Sequence, residues 1–297
     1  MPHCTTVRDC GTHGDSVEPI QQAVCGPNPN YRISARPNAR HRGKVGCFLY
    51  GRRTRSSGAK YDRREICRVP KPEAVVNKDL VDQLIDVAQR VVASGAISAN
   101  GHGNVSLRVP DANEMYFTAG PSLRGHAPAA VVRVGLDGTL LEGDLPPIQG
   151  AVVAMHTAMY ADHPDVGCVL HTHSPYATAY AVAHRPIGCW VEALAMFGLP
   201  TGVPVASYGP RGSDQAVANI RAAITPGVPA VLLANHGVLV FHRTPELAIV
   251  VGGIVEEAAQ AGINAANLGG PVEVPEELRA AALQRAMSFE AIGTVHA

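Results

Sequence analysis

The sequence lacks long apolar runs and has few charged or aromatic residues. Of its 297 residues, 17% are charged and 5% are aromatic, and no apolar run approaches the ~20 residues of a membrane helix. The first thirty residues also lack the apolar centre of a secretory signal. With 46% hydrophobic residues, the chain can still bury the core of one large or two ordinary domains. We therefore expect a soluble cytoplasmic protein without a membrane partner, and we exclude collagen, coiled coil and wholesale disorder.

Several motifs of common active sites are also missing. No Cys-x-x-Cys occurs among the seven cysteines, an odd number, so neither a disulfide framework nor a cysteine metal site is expected. The Gly-x-Ser-x-Gly of hydrolases and the Walker phosphate loop are absent as well. These absences exclude the common serine hydrolases and P-loop nucleotide hydrolases.

A neutral net charge conceals two unlike segments. Residues 1–72 carry 14 Lys and Arg against 5 Asp and Glu, a balance of +9, which leaves −9 for residues 73–297. The first segment is rich in Arg, Gly, Pro, Asn and Ser without periodic apolar residues, so we expect a basic, cysteine-containing, disordered extension. Its run at 52–64 has the charge of a nucleic-acid arm. Charge runs are usually solvated, however, and a start codon placed too far upstream gives the same pattern, so no nucleic-acid partner is expected.

Residues 73–297 show the periodic patterns of one folded domain. Apolar residues at helical spacing follow Asn77, a suitable cap, and end at Gly95. Short alternating strands come next, and glycines stand before the first of them, which is the reverse of the dinucleotide-binding order. A Rossmann fold is therefore excluded. The later pattern predicts helices at 151–161, 176–183, 213–225 and 245–268 and strands at 166–173, 228–233 and 238–241. Strands and helices alternate without a strict repeat, which predicts a mixed α/β/α layered domain.

Histidines stand where two apolar strands end. His171 and His173 are two residues apart on one strand, so both imidazoles leave the same face. His236 ends a second strand and is followed by Gly237, which permits close backbone approach. Three neutral imidazoles with an open fourth position are typical of a catalytic zinc site. Because no ligand is anionic, the zinc ion keeps its full +2 charge. The alternative is a hydrogen-bonded histidine pair and a turn histidine, but two such strand ends together favour a metal.

Four segments in this order resemble the class II aldolase/adducin family over residues 75–297. They are GNVSLR (103–108), Thr118-Ala119-Gly120, HPDVGCVLHTHSPYATA (163–179) and LLANHGVLVF (232–241). The resemblance implies a three-layer α/β/α sandwich around a mixed, largely antiparallel sheet, and a homotetramer with active sites at subunit boundaries. It also implies zinc held by His171, His173 and His236, with Mn²⁺ or Co²⁺ as other possible metals.

The resemblance further implies an aldehyde-lyase of carbohydrate or pentose catabolism. Such an enzyme cleaves a small hydroxylated carbonyl compound, a sugar or sugar-acid derivative, through a metal-stabilised enediolate. A decarboxylase or 4-epimerase of the same family uses related chemistry, and a non-catalytic adducin-like interaction module keeps only the fold. Because adducin-type domains have lost the zinc histidines and this chain keeps all three, we expect an enzyme with a small-molecule substrate.

Departures from the family pattern concern the substrate and the acid/base. The Ser-Ser-Glu of the aldolases is missing from the stretch 147–152 (PIQGAV), and the turn at 118–120 has one hydroxyl fewer. The remaining candidates for substrate binding are Gly103, Asn104, Thr118 and Gly120. The sequence does not decide whether the substrate is phosphorylated.

Two charged residues stand where the family has aromatic active-site residues. Glu192 takes the place of a catalytic tyrosine and Arg211 that of an aromatic in a later loop. We expect Glu192 to shuttle a proton and Arg211 to hold a substrate carboxylate. Glu142, Asp144 or water are alternatives for the proton, and surface charge on loops is the other interpretation of both positions. His156, inside an apolar helix, is expected to be structural.

Overall fold

The computed structural model describes residues 34–37, 45–48, 77–125 and 130–291. The chain divides into two compact units, Met1–Glu73 and Ala74–Ala297. In the first unit, β1 (Ser34–Pro37) and β2 (Val45–Phe48) pair antiparallel, although the sequence predicted no strand there. Most of the extension at 1–72, with its expected disorder, lies outside the described residues, so the predicted division at residue 72 stays a prediction.

The second unit is built on a sheet in the order β6-β5-β4-β3-β7-β10-β9-β8. Its strands are β3 (Gly103–Arg108), β4 (Glu114–Thr118), β5 (Val131–Gly135), β6 (Leu140–Glu142), β7 (Cys168–Thr172), β8 (Val205–Ala206), β9 (Ala230–Leu233) and β10 (Gly237–His242). All neighbouring strands are antiparallel except β8 and β9, which are parallel. The predicted mixed, largely antiparallel sheet is confirmed.

Helices cover both faces of this sheet. They are α1 (Lys78–Ser94), α2 (Pro147–Asp162), α3 (Pro175–Val182), α4 (Glu192–Met196), α5 (Asp214–Ala223), α6 (Pro245–Ala266) and α7 (Glu276–Ala291). Alternate strand residues enter different cores: Leu170 packs with α1, α3, α4, α6 and α7, whereas Val169 packs with α2 and α5. The sheet thus lies between two helical layers, and the predicted three-layer sandwich is confirmed.

Local capping explains the helix boundaries that the sequence predicted. Asn77 Oδ1 accepts from Leu80 N at 3.3 Å, and Gly95 ends α1 with a φ of 77°. The hydroxyls of Ser213 and Thr244 cap α5 and α6 in the same way, at 3.1 and 3.3 Å from the backbone N–H three residues on. Of the helices in the described ranges, none is both long and apolar enough to cross a membrane.

Candidate metal centre

Three histidines converge at one end of the central strands. His171 lies near the end of β7 and His173 one residue beyond that strand, so both side chains leave on the α2 side, two and four residues after Val169. His236 lies in the turn between β9 and β10. One ligand atom from each histidine lies within 4.8 Å of the others. The structure therefore brings the three predicted ligands together.

Two glycines permit this convergence. A Cβ on Gly237 would lie 2.5 Å from Thr172 O and 3.3 Å from His171 Cε1. A Cβ on Gly103 would lie 2.5 Å from the His171 carbonyl oxygen, across the β3–β7 ladder in which Asn104 pairs with His171. Any larger residue at either position would push apart the strands that carry the histidines, since atoms other than hydrogen-bond partners do not approach so closely.

The histidines are held in the form that binds a metal. His171 Nδ1 donates to Val238 O at 2.9 Å, which leaves the lone pair of Nε2 for a ligand bond. Burial lowers the pKa of His171 far below its ordinary value. Burial first, and then neighbouring positive charges, lower the pKa of His173 and of His236 to about 4. All three imidazoles are neutral at pH 7, and this donor set fits a divalent cation.

His156 lies next to the centre and is hydrogen-bonded on both ring nitrogens within the protein. It is fully buried, and burial lowers its pKa to about 3. Its Nε2–H donates to Asn104 Oδ1 at 2.6 Å, and Ser106 Oγ–H donates to its Nδ1 at 2.8 Å. The Tyr160 hydroxyl donates to the Ser106 carbonyl at 2.9 Å and extends the network. These bonds tie α2 to β3, and they leave the Asn104 amide nitrogen as the group that can donate to a substrate.

Thr118 is inside the sheet. Its side chain is fully buried, and its Oγ1 accepts from Val105 N at 2.9 Å and faces Val105 O at 3.4 Å. The hydroxyl thus links β4 to β3, and the substrate-binding role expected for Thr118 stays a prediction. Gly120 follows in the turn after β4, where the pairing of Ser122 with His102 brings this turn beside the start of β3.

Arg211 lies beside the histidines, in the loop before α5. Its Nη2 is 3.3 Å from His236 Nε2. Arg211 and His236 line a cleft of about 230 Å³. Val152, from the stretch that lacks the family glutamate, lines the same cleft, and none of the lining residues is Asp or Glu. Tyr208, 60% exposed, lines the same cleft. Tyr208 is not among the site residues predicted from the sequence, although an aromatic residue three positions before Arg211 in a Gly-Pro loop is a visible signal.

Glu192 does not join this group within one chain. It is the first residue of α4 and is exposed, while Leu194 and Ala195 of the same helix pack in the core on the α6 side of the sheet. The histidines leave the sheet on the opposite, α2 side. Within one chain, Glu192 is thus not among the residues that the structure brings to the three histidines.

Comparison with known proteins identifies the family of this chain. The profile of the Class II Aldolase and Adducin N-terminal domain matches residues 82–263. The chain belongs to the class II aldolase and adducin family. Family members are generally metal-dependent, and the three histidines form a group that can hold the metal.

Similar proteins within the family include aldolases and a decarboxylase. A 5-methylthioribulose-1-phosphate/5-deoxyribulose-1-phosphate aldolase from Rhodospirillum rubrum is 31% identical over 60% of this chain and 77% of its own. A 3-oxo-tetronate 4-phosphate decarboxylase from Escherichia coli is 30% identical over 56% of this chain and 78% of its own. The structure of an L-fuculose 1-phosphate aldolase has 27% identity and a TM-score of 0.62, over 70% of this chain and 95% of that one. These relatives support lyase activity.

A carboxylate that is distant in the sequence, that of Glu256, holds the segment that follows His173. Glu256 of α6 is buried, and its Oε1 and Oε2 accept from Tyr176 N at 2.9 Å and Ala177 N at 2.8 Å, the first turn of α3. Ser174 is the residue before α3, but its hydroxyl does not cap the helix and instead donates to Ala96 O at 2.7 Å. Burial raises the pKa of Glu256, and the two N–H donors oppose that rise.

The other end of α3 holds the segment that carries His236. Asn235 N donates to Ala181 O at 3.2 Å, and Asn235 Oδ1 accepts from His184 Nε2 at 2.6 Å. Asn235 has a φ of 58°, in the left-handed region that these two bonds help to maintain. One short helix thus connects both ligand-bearing segments, and Glu256 anchors its start.

Replacing Glu256 by Gln should weaken metal binding as well as stability. The amide retains one acceptor oxygen and places an NH₂ group against the second backbone N–H, so a buried donor loses its partner, at a cost of ~1–3 kcal/mol. Thermal unfolding and competition with a metal chelator measure the two effects. Glu257→Gln, at the neighbouring exposed position, is the matched control. Equal metal affinity in both variants would show that α3 is positioned without Glu256.

Proposed function

We propose that this protein is a metal-dependent carbon–carbon lyase, an aldehyde-lyase that cleaves a small hydroxylated carbonyl compound in carbohydrate catabolism. The observation that carries the proposal is the convergence of three neutral histidines beside a cleft that contains one arginine and no carboxylate. Family membership and aldolase relatives support it.

His171, His173 and His236 would hold the metal, for which we propose zinc because three imidazoles with an open position are typical of its catalytic sites. When bound, zinc supplies a Lewis acid that keeps its full double charge among neutral ligands. The protein itself contributes the neutral state of these imidazoles and their fixed directions, through the bond from His171 Nδ1 to Val238 O.

Arg211 would bind the acidic group of the substrate. Its guanidinium lies at the metal centre, 3.3 Å from His236 Nε2, and two parallel N–H donors suit a carboxylate. Gly103, Asn104 and Gly120 would orient the substrate through backbone and amide N–H groups. Since Thr118 is occupied inside the sheet and the family serines are absent, we propose a carboxylate rather than a phosphate as the main anionic group.

Proton transfer would come from Glu192 of a neighbouring subunit in a homotetramer. The exposed position of Glu192 at the start of α4, on the side of the sheet away from its own histidines, supports contact with a second chain. This proposal accounts for the missing carboxylate in the cleft of each single chain.

Decarboxylation of a 3-oxo acid is the second candidate function. It is favoured by the position of Arg211, and one relative is named as a decarboxylase of such an acid. A 4-epimerase of the same family is a further variant. An adducin-like interaction module is disfavoured because the chain retains a complete set of three converging histidines.

Metal analysis of the purified protein, followed by a lyase screen, tests the proposal. The screen compares free and phosphorylated aldols with 3-oxo acids. We expect close to one zinc per chain and activity on a carboxylate-bearing compound, and Arg211→Lys should mainly raise KM for it. Arg285→Lys, on the exposed surface of α7, is the control. A metal-free protein without lyase activity would favour the interaction module.

A further inference from the structure

The cleft beside His236 is lined mainly by apolar side chains. Its floor lies between α2, α5 and β9 and is lined by Val152, Met155, Val217, Ile220 and Leu233. Four of these five are nearly buried, with 4% to 7% of their surface exposed, and Val217 is half-buried. A group entering from the metal centre therefore meets hydrocarbon beyond the first polar contacts.

The polar side chains of the lining, here called the rim, are Ser207, Tyr208, Arg211, Ser213, Asn235 and His236. Two of them are engaged within the protein. Ser213 Oγ donates to Pro210 O at 2.7 Å and accepts from Ala216 N at 3.1 Å. Asn235 Oδ1 accepts from His184 Nε2 at 2.6 Å. Arg211 is the charged group at this rim, and it points to the histidines rather than to the floor. Apart from Ser207 and Tyr208, hydroxyl groups of a sugar chain would thus find few partners to replace the water that they lose in the cleft.

We infer that this cleft binds an unhydroxylated end of the substrate, a short alkyl chain attached to the oxygens that the metal centre and Arg211 hold. The volume of about 230 Å³ is below the usual range of drug-sized pockets, which limits the chain to a few carbons. This inference rests on the proposed function for the metal centre and adds the substrate class: a deoxygenated hydroxy or oxo acid rather than a polyhydroxylated sugar.

Hydroxamates test the inference, because the hydroxamate group chelates zinc while the attached chain varies. The probes are acetohydroxamate, butanohydroxamate, hexanohydroxamate and gluconohydroxamate, the last two with equal carbon number. Their Kd values for the zinc-loaded full chain are measured by calorimetry. Affinity should rise about fourfold per methylene up to the length that fills the cleft. Hexanohydroxamate should bind at least ~10-fold more tightly than gluconohydroxamate, whose hydroxyls lose water without partners.

Variants at Val217 assign this preference to the cleft. Val217→Phe should fill the floor and remove the gain from chain length, while leaving acetohydroxamate binding unchanged. Val217→Asn, which avoids overpacking, should reduce the gain as well. Val182→Asn, at a 56% exposed position at the end of α3, is the matched control.

The outcomes separate this inference from the proposed function. If acetohydroxamate binds but longer chains bind no better, or if gluconohydroxamate binds as tightly as hexanohydroxamate, the apolar subsite is refuted and the metal centre stands. An unchanged chain-length gain in both Val217 variants refutes it as well. If none of the hydroxamates binds, the metal centre and the inference that rests on it are both overturned.

Discussion

Replacing His236 by Ala should abolish stoichiometric metal binding and lyase activity together. Each of the three imidazoles supplies one ligand atom to the group, and in the described part of the chain no other Asp, Glu, Cys or His joins it. His171→Ala and His173→Ala should have the same effect, and combining two of these replacements should add little, because the ligands act as a unit. Metal content is measured by elemental analysis of dialysed protein.

Replacement of His156 gives the contrasting result. His156→Ala should remove the bonds to Asn104 and Ser106 and leave a cavity, which costs a few kcal/mol of unfolding free energy (~2–4), while the metal stays bound. His163→Ala, beside Phe241 at the far end of the sheet, is a second control. Full metal retention in His236→Ala would remove His236 from the centre and refute the three-histidine site.

Glu192→Gln should lower kcat by ~10²–10⁴, the usual contribution of a positioned general acid or base, with unchanged metal content. Substrate binding should change little, because the carboxamide keeps the size of the side chain. Glu276→Gln, exposed at the start of α7, is the matched control. Full activity in Glu192→Gln would pass the role to Glu142, Asp144 or water.

Hybrid oligomers test how Glu192 acts. Light scattering should give about four chains. Co-expression of Glu192→Gln with His236→Ala chains should restore activity, because a chain with intact histidines can then receive Glu192 from its neighbour. If Glu192 served the site of its own chain, the hybrids would stay inactive. A fully active monomer would refute the shared site.

Much of the fold could be predicted because its signals are local. Helices α1, α5 and α6 are capped by side chains that accept from the backbone N–H three residues later, those of Asn77, Ser213 and Thr244. Alternation along the strands places neighbouring residues in two different cores. The last helix, α7, and the single-turn α4 were missed. Their apolar residues form no clear stripe. The two helices pack against each other, and α4 also packs against α6, so their contacts are with segments distant in sequence.

The sequence by itself determined which residues could form the metal centre, since the two-residue repeat of a strand sets His171 and His173 on one face. Only the tertiary structure decided what surrounds them. It placed Arg211 at His236, turned Thr118 into the sheet, put Glu192 on the opposite side, and brought Glu256 to the start of α3 across 80 residues of chain. Such contacts depend on strand order and on which helix covers which face, and these are fixed by packing of the whole core rather than by any local pattern.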